Sequence, residues 1–177
     1  PIVVLLFGRE YAAAAPVLTS LGNAGTISVT SSGAVAAGEI GISDNDAGGL
    51  QTSKITLATA AGSAETITIK QTGAGGITVD GNIDRSAQGN DNVTLVTTAG
   101  NIISGAGTVT TSGTVTLNAS GTIGNLATVN VNTPKLDIQV GGAKFNVTSA
   151  AVLTDLSVKT AGNATTQTLA DSGGNLT

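Results

Sequence analysis

A unit of about twenty-one residues recurs along this chain, and it restricts the fold more than any other feature. The unit reads apolar, small polar, apolar, then a few small residues, a glycine and another apolar residue. It runs from Ile27-Ser-Val29 to Gly33-Ala-Val35, from Ile67-Thr-Ile69 to Gly76-Ile77, from Val93-Thr-Leu95 to Gly100-Asn-Ile102, and from Val115-Thr-Leu117 to Gly121-Thr-Ile123. Shorter copies begin at Leu136-Asp-Ile138 and Leu156-Ser-Val158. Val93, Val115, Leu136 and Leu156 follow one another at 22, 21 and 20 residues, and Ile102 to Ile123 is 21. Ile27 precedes Ile67 by 40 and Val35 precedes Ile77 by 42, each close to two periods, which places Ile55-Thr-Leu57 on another face. Val93 follows Ile67 by 26, which marks residues 84–91 as a loop insertion.

The triplets alternate as strands do, with successive side chains on opposite faces. Runs such as Thr66-Ile-Thr-Ile-Lys70 are too short for helices, and Gly, Asn, Asp and Ser punctuate them as turns. Only Tyr11–Ala15 suggests a helical turn. A twenty-odd-residue period with two or three short strands predicts the rung of a parallel β-helix, all-β, with rungs of about 20–22 residues. Composition agrees. Hydrophobic residues make up 40% but aromatics only 2%, namely Phe7, Tyr11 and Phe145. The core must therefore be thin and built from Ile, Val, Leu and Ala. The competing fold is an antiparallel Ig-like sandwich with a donated N-terminal strand, since turn signals also fall every 8–12 residues. A sandwich gives no reason for the sequence to repeat every twenty-one.

The repeats occupy residues 26–177. Residues 1–25 form a separate N-terminal piece led by the most apolar run in the chain, Ile2, Val3, Val4, Leu5, Leu6 and Phe7. That run reads as a cap on the first rung, which would otherwise be a sticky edge. It also reads as an assembly strand added to a neighbouring copy, giving head-to-tail polymers. A processed leader is the third reading, although Arg9-Glu10 interrupts it.

The stretches Val93-Thr-Leu-Val-Thr-Thr-Ala-Gly-Asn-Ile102, Gly107-Thr-Val-Thr-Thr-Ser-Gly113 and Thr114-Val-Thr-Leu-Asn-Ala-Ser-Gly-Thr-Ile123 resemble the shaft repeats of filamentous-haemagglutinin-type proteins. These are large bacterial exoproteins and surface proteins. The likeness is best over residues 93–123 and looser over residues 26–176. It implies a right-handed β-helix, secretion, and an adhesive or scaffold role. The Asn-Pro-Asn-Gly-type motif of that family's secretion domain is missing, and the only prolines are Pro1, Pro16 and Pro134. The resemblance therefore implies shaft rather than secretion domain.

Asp80-Gly-Asn82-Ile-Asp84 alternates oxygen-bearing side chains as a calcium loop does, and Asp91 stands at the twelfth place. This makes Asp80, Asn82, Asp84 and Asp91 the candidate calcium ligands. Arg85 stands where a helix-loop-helix site needs Gly, and the same residues suit solvated turns. Asp44-Asn-Asp46-Ala-Gly48 is a second, poorer version. Asn92, Asn118, Asn146, Asn163 and Asn175 each open an Asn-x-Ser/Thr pattern, expected by chance in so Asn- and Thr-rich a chain.

Charge and composition exclude several functions. Net charge is −4, with no basic patch, so nucleic acid is not an expected partner. No apolar run reaches a membrane span. There is no Cys and no His, which removes thiolate sites and the commonest catalytic base. Paired carboxylates would still permit a polysaccharide-active β-helix enzyme, but sugar-stacking aromatics are lacking. The expectation is thus a non-enzymatic extracellular structural protein of a bacterial or archaeal surface, without a cofactor. It would be a filament building block or adhesin shaft whose partners are copies of itself and host or surface glycans. The alternative is a calcium- or glycan-binding surface module.

Overall fold

A short strand with one inward and one outward face cannot bury itself alone, so successive copies stack. In the computed structural model, which describes residues 2–7, 17–19, 26–31, 39–58, 64–161 and 166–172, they stack as a parallel β-solenoid. Its longest face is a seven-stranded sheet of β2 (Val17–Thr19), β4 (Glu39–Asp44), β7 (Thr66–Gln71), β10 (Asn92–Thr97), β13 (Thr114–Ala119), β15 (Lys135–Val140) and β17 (Asp155–Thr160). All of these pairs are parallel. At about 4.8 Å per strand the face is roughly 30 Å long.

Register aligns the inward side chains into three columns, of which the third (Asp44, Gln71, Thr97, Ala119 and Val140) carries polar groups and the first two are aliphatic. One aliphatic column is Ile40, Ile67, Val93, Val115, Leu136, Leu156, and the other Ile42, Ile69, Leu95, Leu117, Ile138, Val158. From Ile67 to Leu136 and from Ile42 to Ile138 none of these is more than 2% exposed. The outward positions hold small polar residues, such as the row Thr68, Thr94, Thr116. The spacings of 22, 21 and 20 from Val93 to Leu156 are therefore true rung lengths, and the insertion at 84–91 lengthens its own rung to 26.

The two-period spacing assigned to Ile27 and Ile67 is corrected. Ile27 lies on another face, in a sheet of β1 (Ile2–Phe7), β3 (Thr26–Ser31) and β6 (Ile55–Ala58), where it pairs with Val3 and Ile55. The residue stacked on Ile67 is Ile40, one rung of 27 residues away. The early rungs thus exceed the expected 20–22 residues. Both β1 and β2 belong to solenoid sheets, so the strands within residues 1–25 extend the repeat. Val35, Tyr11–Ala15, Asn163 and Asn175 lie outside the described residues.

Two faces merge in the later rungs. β5 (Leu50–Gln51), β8 (Ile77–Val79) and β11 (Ile102–Ser104) form one three-stranded sheet. β9 (Ile83–Asp84), β12 (Thr108–Thr110), β14 (Val129–Asn132), β16 (Lys144–Ser149) and β18 (Thr166–Ala170) form a five-stranded one. Ile123, which bridges Ile102, also bridges Phe145 on β16, while Val129 pairs with Val147 on the same strand. One strand then spans two faces, and the corner loop at residues 124–128 has no counterpart in that rung.

Candidate functional site

Charge is scarce in this chain, so the place where it is buried stands out. Glu65 and Asp91 each immediately precede a strand of the seven-stranded sheet, one rung apart, since Thr66 pairs with Asn92. Two carboxylates stacked at that distance would repel in a low-dielectric interior. Arg85, from the loop between β9 and β10, joins both. Its Nη2 lies 2.7 Å from Asp91 Oδ2 and 3.2 Å from Glu65 Oε2, and its Nε–H donates to Asp91 Oδ2 at 2.8 Å. The Glu65 backbone N–H donates to the other Asp91 oxygen at 2.8 Å. All three residues are at most 3% exposed.

This cluster heads a buried polar seam along one corner of the rod. Thr111 Oγ1 donates to the Asp91 carbonyl, Thr133 Oγ1 to the Gly113 carbonyl, and Ser149 Oγ to the Thr133 carbonyl. Each hydroxyl ties a corner to the rung before it, satisfying carbonyls that the turn removes from the ladder. Beside the cluster lies a cleft of about 280 Å³, lined by Ile55, Leu57, Ile83, Asp84 and Arg85 among others. It marks a break in the third face, because β9 pairs with β12 while no ladder among the described residues joins β6 to β9.

The structure does not gather Asp80, Asn82, Asp84 and Asp91 around one point, so the calcium reading gains no support. Asp80 accepts from the Ser53 N–H at 2.9 Å and hydroxyl at 2.8 Å, toward the preceding rung. Asn82 Oδ1 accepts from the Thr108 N–H at 3.0 Å, toward the following one. Asp84 Oδ1 accepts from the N–H and hydroxyl of Ser86. Asp91 is buried against Arg85. Among the described residues no three acidic side chains are placed to hold a metal ion. In the second acidic run, Asp44 is buried and accepts from Gln71 Nε2 at 2.6 Å, and Asp46 accepts from the Gly48 N–H. Oxygens expected to face one ion are drawn instead to separate partners, some in neighbouring rungs and some in their own turns.

The hydrogen bonds also set the protonation of the two surface carboxylates. Partial burial alone would raise the pKa of Asp80. The Ser53 N–H and hydroxyl outweigh it and hold the pKa below the ordinary 3.8. The Ser86 N–H and hydroxyl lower that of Asp84. Both groups are therefore ionised at neutral pH, the opposite of what a proton donor needs. A pKa lower in the folded state means stabilisation present above the unfolded value and lost as pH falls through the folded one. Asp80→Asn and Asp84→Asn should accordingly lower the unfolding midpoint at pH 7 but not at pH 2. An equal penalty at both pH values in thermal melts would show that the charge contributes nothing.

In the sequence Arg85 stands out only as a misfit in a calcium loop, and no motif there singles out Glu65. The legible signal was the position of Glu65 and Asp91 just before an apolar-Thr-apolar strand in consecutive rungs. Comparison with known proteins finds no matching family model, no matching curated protein and no matching solved structure. The filamentous-haemagglutinin likeness thus rests on the repeat itself. No helix among the described residues is long and apolar enough to cross a membrane.

Proposed function

We propose that this chain is a non-enzymatic structural protein, a stiff rod segment of a bacterial or archaeal surface filament or adhesin shaft, acting outside the cell. The observation that carries this reading is the seven-stranded ladder, in which two inward columns are aliphatic, from Ile67 to Leu136 and from Ile42 to Ile138 at most 2% exposed, while the outward face is mostly polar. Such a body resists bending and proteolysis because consecutive strands are paired along the axis over an uninterrupted core. The carboxylates support it as well. Asp91 is locked against Arg85, and Asp80 and Asp84 are ionised and engaged with serines, so none of these three serves as a proton donor facing a carboxylate partner.

Immunogold labelling of intact cells of the source organism, with antibody raised against the purified chain, tests the proposal. Gold on fibres or on the cell surface is expected. Label appearing only after the cells are permeabilised would overturn it.

A further inference from the structure

Asp80-Gly81 is the only Asp-Gly pair in the chain, and there is no Asn-Gly pair. A glycine after aspartate puts no side chain in the way of its own backbone nitrogen, which then reaches the neighbouring carboxyl carbon most readily. The pair forms the corner between β8 and β9 and is half-buried. One rung earlier, the 3-10 turn Thr52–Lys54 holds both of these groups. The Gly81 N–H donates to Thr52 Oγ1 at 2.9 Å, and that hydroxyl donates to the Gly81 carbonyl at 2.7 Å. The Ser53 N–H donates to one Asp80 oxygen at 2.9 Å and the Ser53 hydroxyl to the other at 2.8 Å. Thr52 is 0% exposed, which keeps solvent from its hydroxyl.

The packing that holds the pair also demands its glycine. A Cβ at position 81 would meet Ser53 Cα and lie 2.6 Å from the Ser53 nitrogen. The next rung presses from the other side. A Cβ on Gly107 would lie 2.6 Å from the Gly81 carbonyl carbon, and one on Gly105 would lie 2.7 Å from Asp80 Cα. The Gly107 N–H donates to the Val79 carbonyl at 3.0 Å and fixes that approach. The main chain of Asp80-Gly81 is thus confined between two rungs, with no room for an extra backbone atom.

We infer that Asp80-Gly81 is a covalent modification site, an aspartyl isomerisation site that the stacked rungs hold closed and that local opening of the corner exposes. In the reaction the Gly81 nitrogen bonds to Asp80 Cγ, and the carboxyl hydroxyl leaves with the amide proton as one water. Water then adds back to the five-membered imide. Breaking the bond from nitrogen to Cγ restores aspartate. Breaking the bond from nitrogen to the Asp80 main-chain carbonyl carbon leaves the chain running through Cγ, an isoaspartyl linkage. No atom is gained or lost overall, and water is the only co-reactant. The folded corner opposes this at each point. Thr52 fixes the Gly81 amide, and Ser53 draws the carboxylate toward the preceding rung. Partial burial alone would raise the Asp80 pKa, but the Ser53 bonds keep the group ionised, and an ionised carboxylate has no hydroxyl to lose. The isoaspartyl product has one more atom in its main chain, which the space between Ser53 and Gly107 does not admit. A chain that isomerises while open therefore keeps this corner open. None of this depends on where the rod acts.

The test incubates the full chain at neutral pH and measures isoaspartate at Asp80 over time by peptide mapping with mass-spectrometric fragmentation. Folded protein should isomerise at least about tenfold more slowly than the same chain held unfolded in urea, because the rate follows the population of the open corner. Thr52→Val and Ser53→Ala each remove one hydroxyl and should raise the folded-state rate about fivefold. Urea denaturation of both variants separates loosening of the corner from loosening of the whole chain. The wild-type comparison decides alone if a variant fails to fold. Isomerised chains, separated by ion exchange, should show faster hydrogen exchange at the Gly107 and Arg85 amides, which donate to Val79 and Thr110 in the intact corner. Folded and unfolded chains that isomerise within about twofold of one another would overturn the inference. So would folded variants that keep the wild-type rate, or isomerised chains whose Gly107 and Arg85 amides exchange as before.

Discussion

Replacing Asp91 by Ala should lower the stability of the solenoid by about 3–5 kcal/mol, the usual cost of breaking a buried ion pair by removing one partner. Asp91 accepts from Arg85 Nε and the Glu65 N–H, and its Oδ2 lies 2.7 Å from Arg85 Nη2. Without it the guanidinium stays buried and loses its nearer carboxylate, and the Glu65 N–H loses its acceptor. The thermal midpoint should fall by roughly 10 °C or more. A combined Glu65→Leu, Arg85→Met and Asp91→Leu variant should cost far less, because no uncompensated charge is then left in the interior. Urea denaturation of both proteins measures the contrast. A loss under about 1 kcal/mol for Asp91→Ala would mean that the corner is hydrated, and the cluster would then not be a structural clamp.

Gly76→Ala should be comparably damaging, on the order of 3 kcal/mol, with a different cause. Gly76 is buried and has φ +71°, a backbone conformation costly for any residue with a Cβ. A Cβ there would also lie 2.2 Å from the Asn101 carbonyl oxygen and 2.8 Å from the Asn101 nitrogen. That backbone has no room to retreat, because the Asn101 carbonyl accepts from the Ile77 N–H at 2.9 Å. On the other side the Gly76 carbonyl accepts from the Leu50 N–H at 2.9 Å. The strain therefore falls on three consecutive rungs at the β5, β8 and β11 face. Hydrogen exchange of Leu50, Ile77 and Ile102 amides should accelerate together in the variant. Ala99→Ser, at an exposed turn position in the same region, is the control and should leave stability within about 0.5 kcal/mol. A Gly76→Ala protein as stable as the control would show that the corner reshapes freely.

The repeat alone was enough to select a parallel solenoid over a sandwich. Val93, Val115, Leu136 and Leu156 carry the period because each occupies the same inward position on successive rungs, and a position that must be apolar and β-compatible leaves a mark in the sequence. The same logic misled at Ile27. Two faces of a solenoid impose the same alternation, so an apolar-polar-apolar triplet does not say which face it belongs to, and a spacing of 40 imitates two rungs. Residues 26–31 and 55–58 share one face, while Ile40, in a strand that has Gly41 where the later copies carry Thr, Asp or Ser, is the true neighbour of Ile67.

Sequence by itself determined the parallel stacking, the thin aliphatic core and the corner insertion at residues 84–91, because each depends on local alternation and on intervals along the chain. Tertiary structure alone decided what the acidic residues do. Asp80, Asn82 and Asp84 alternate in sequence as ligands around an ion would. Across the rungs, however, one oxygen is drawn to Ser53 before it, the next to Thr108 after it, and the third to Ser86 in its own turn. Asp91 lies 26 residues from Glu65 and six from Arg85 along the chain, and only the folding of one rung onto another makes them a single buried cluster. A carboxylate takes whatever donor or cation the neighbouring rung brings to it, and that neighbour is set by the length of a whole turn of the solenoid.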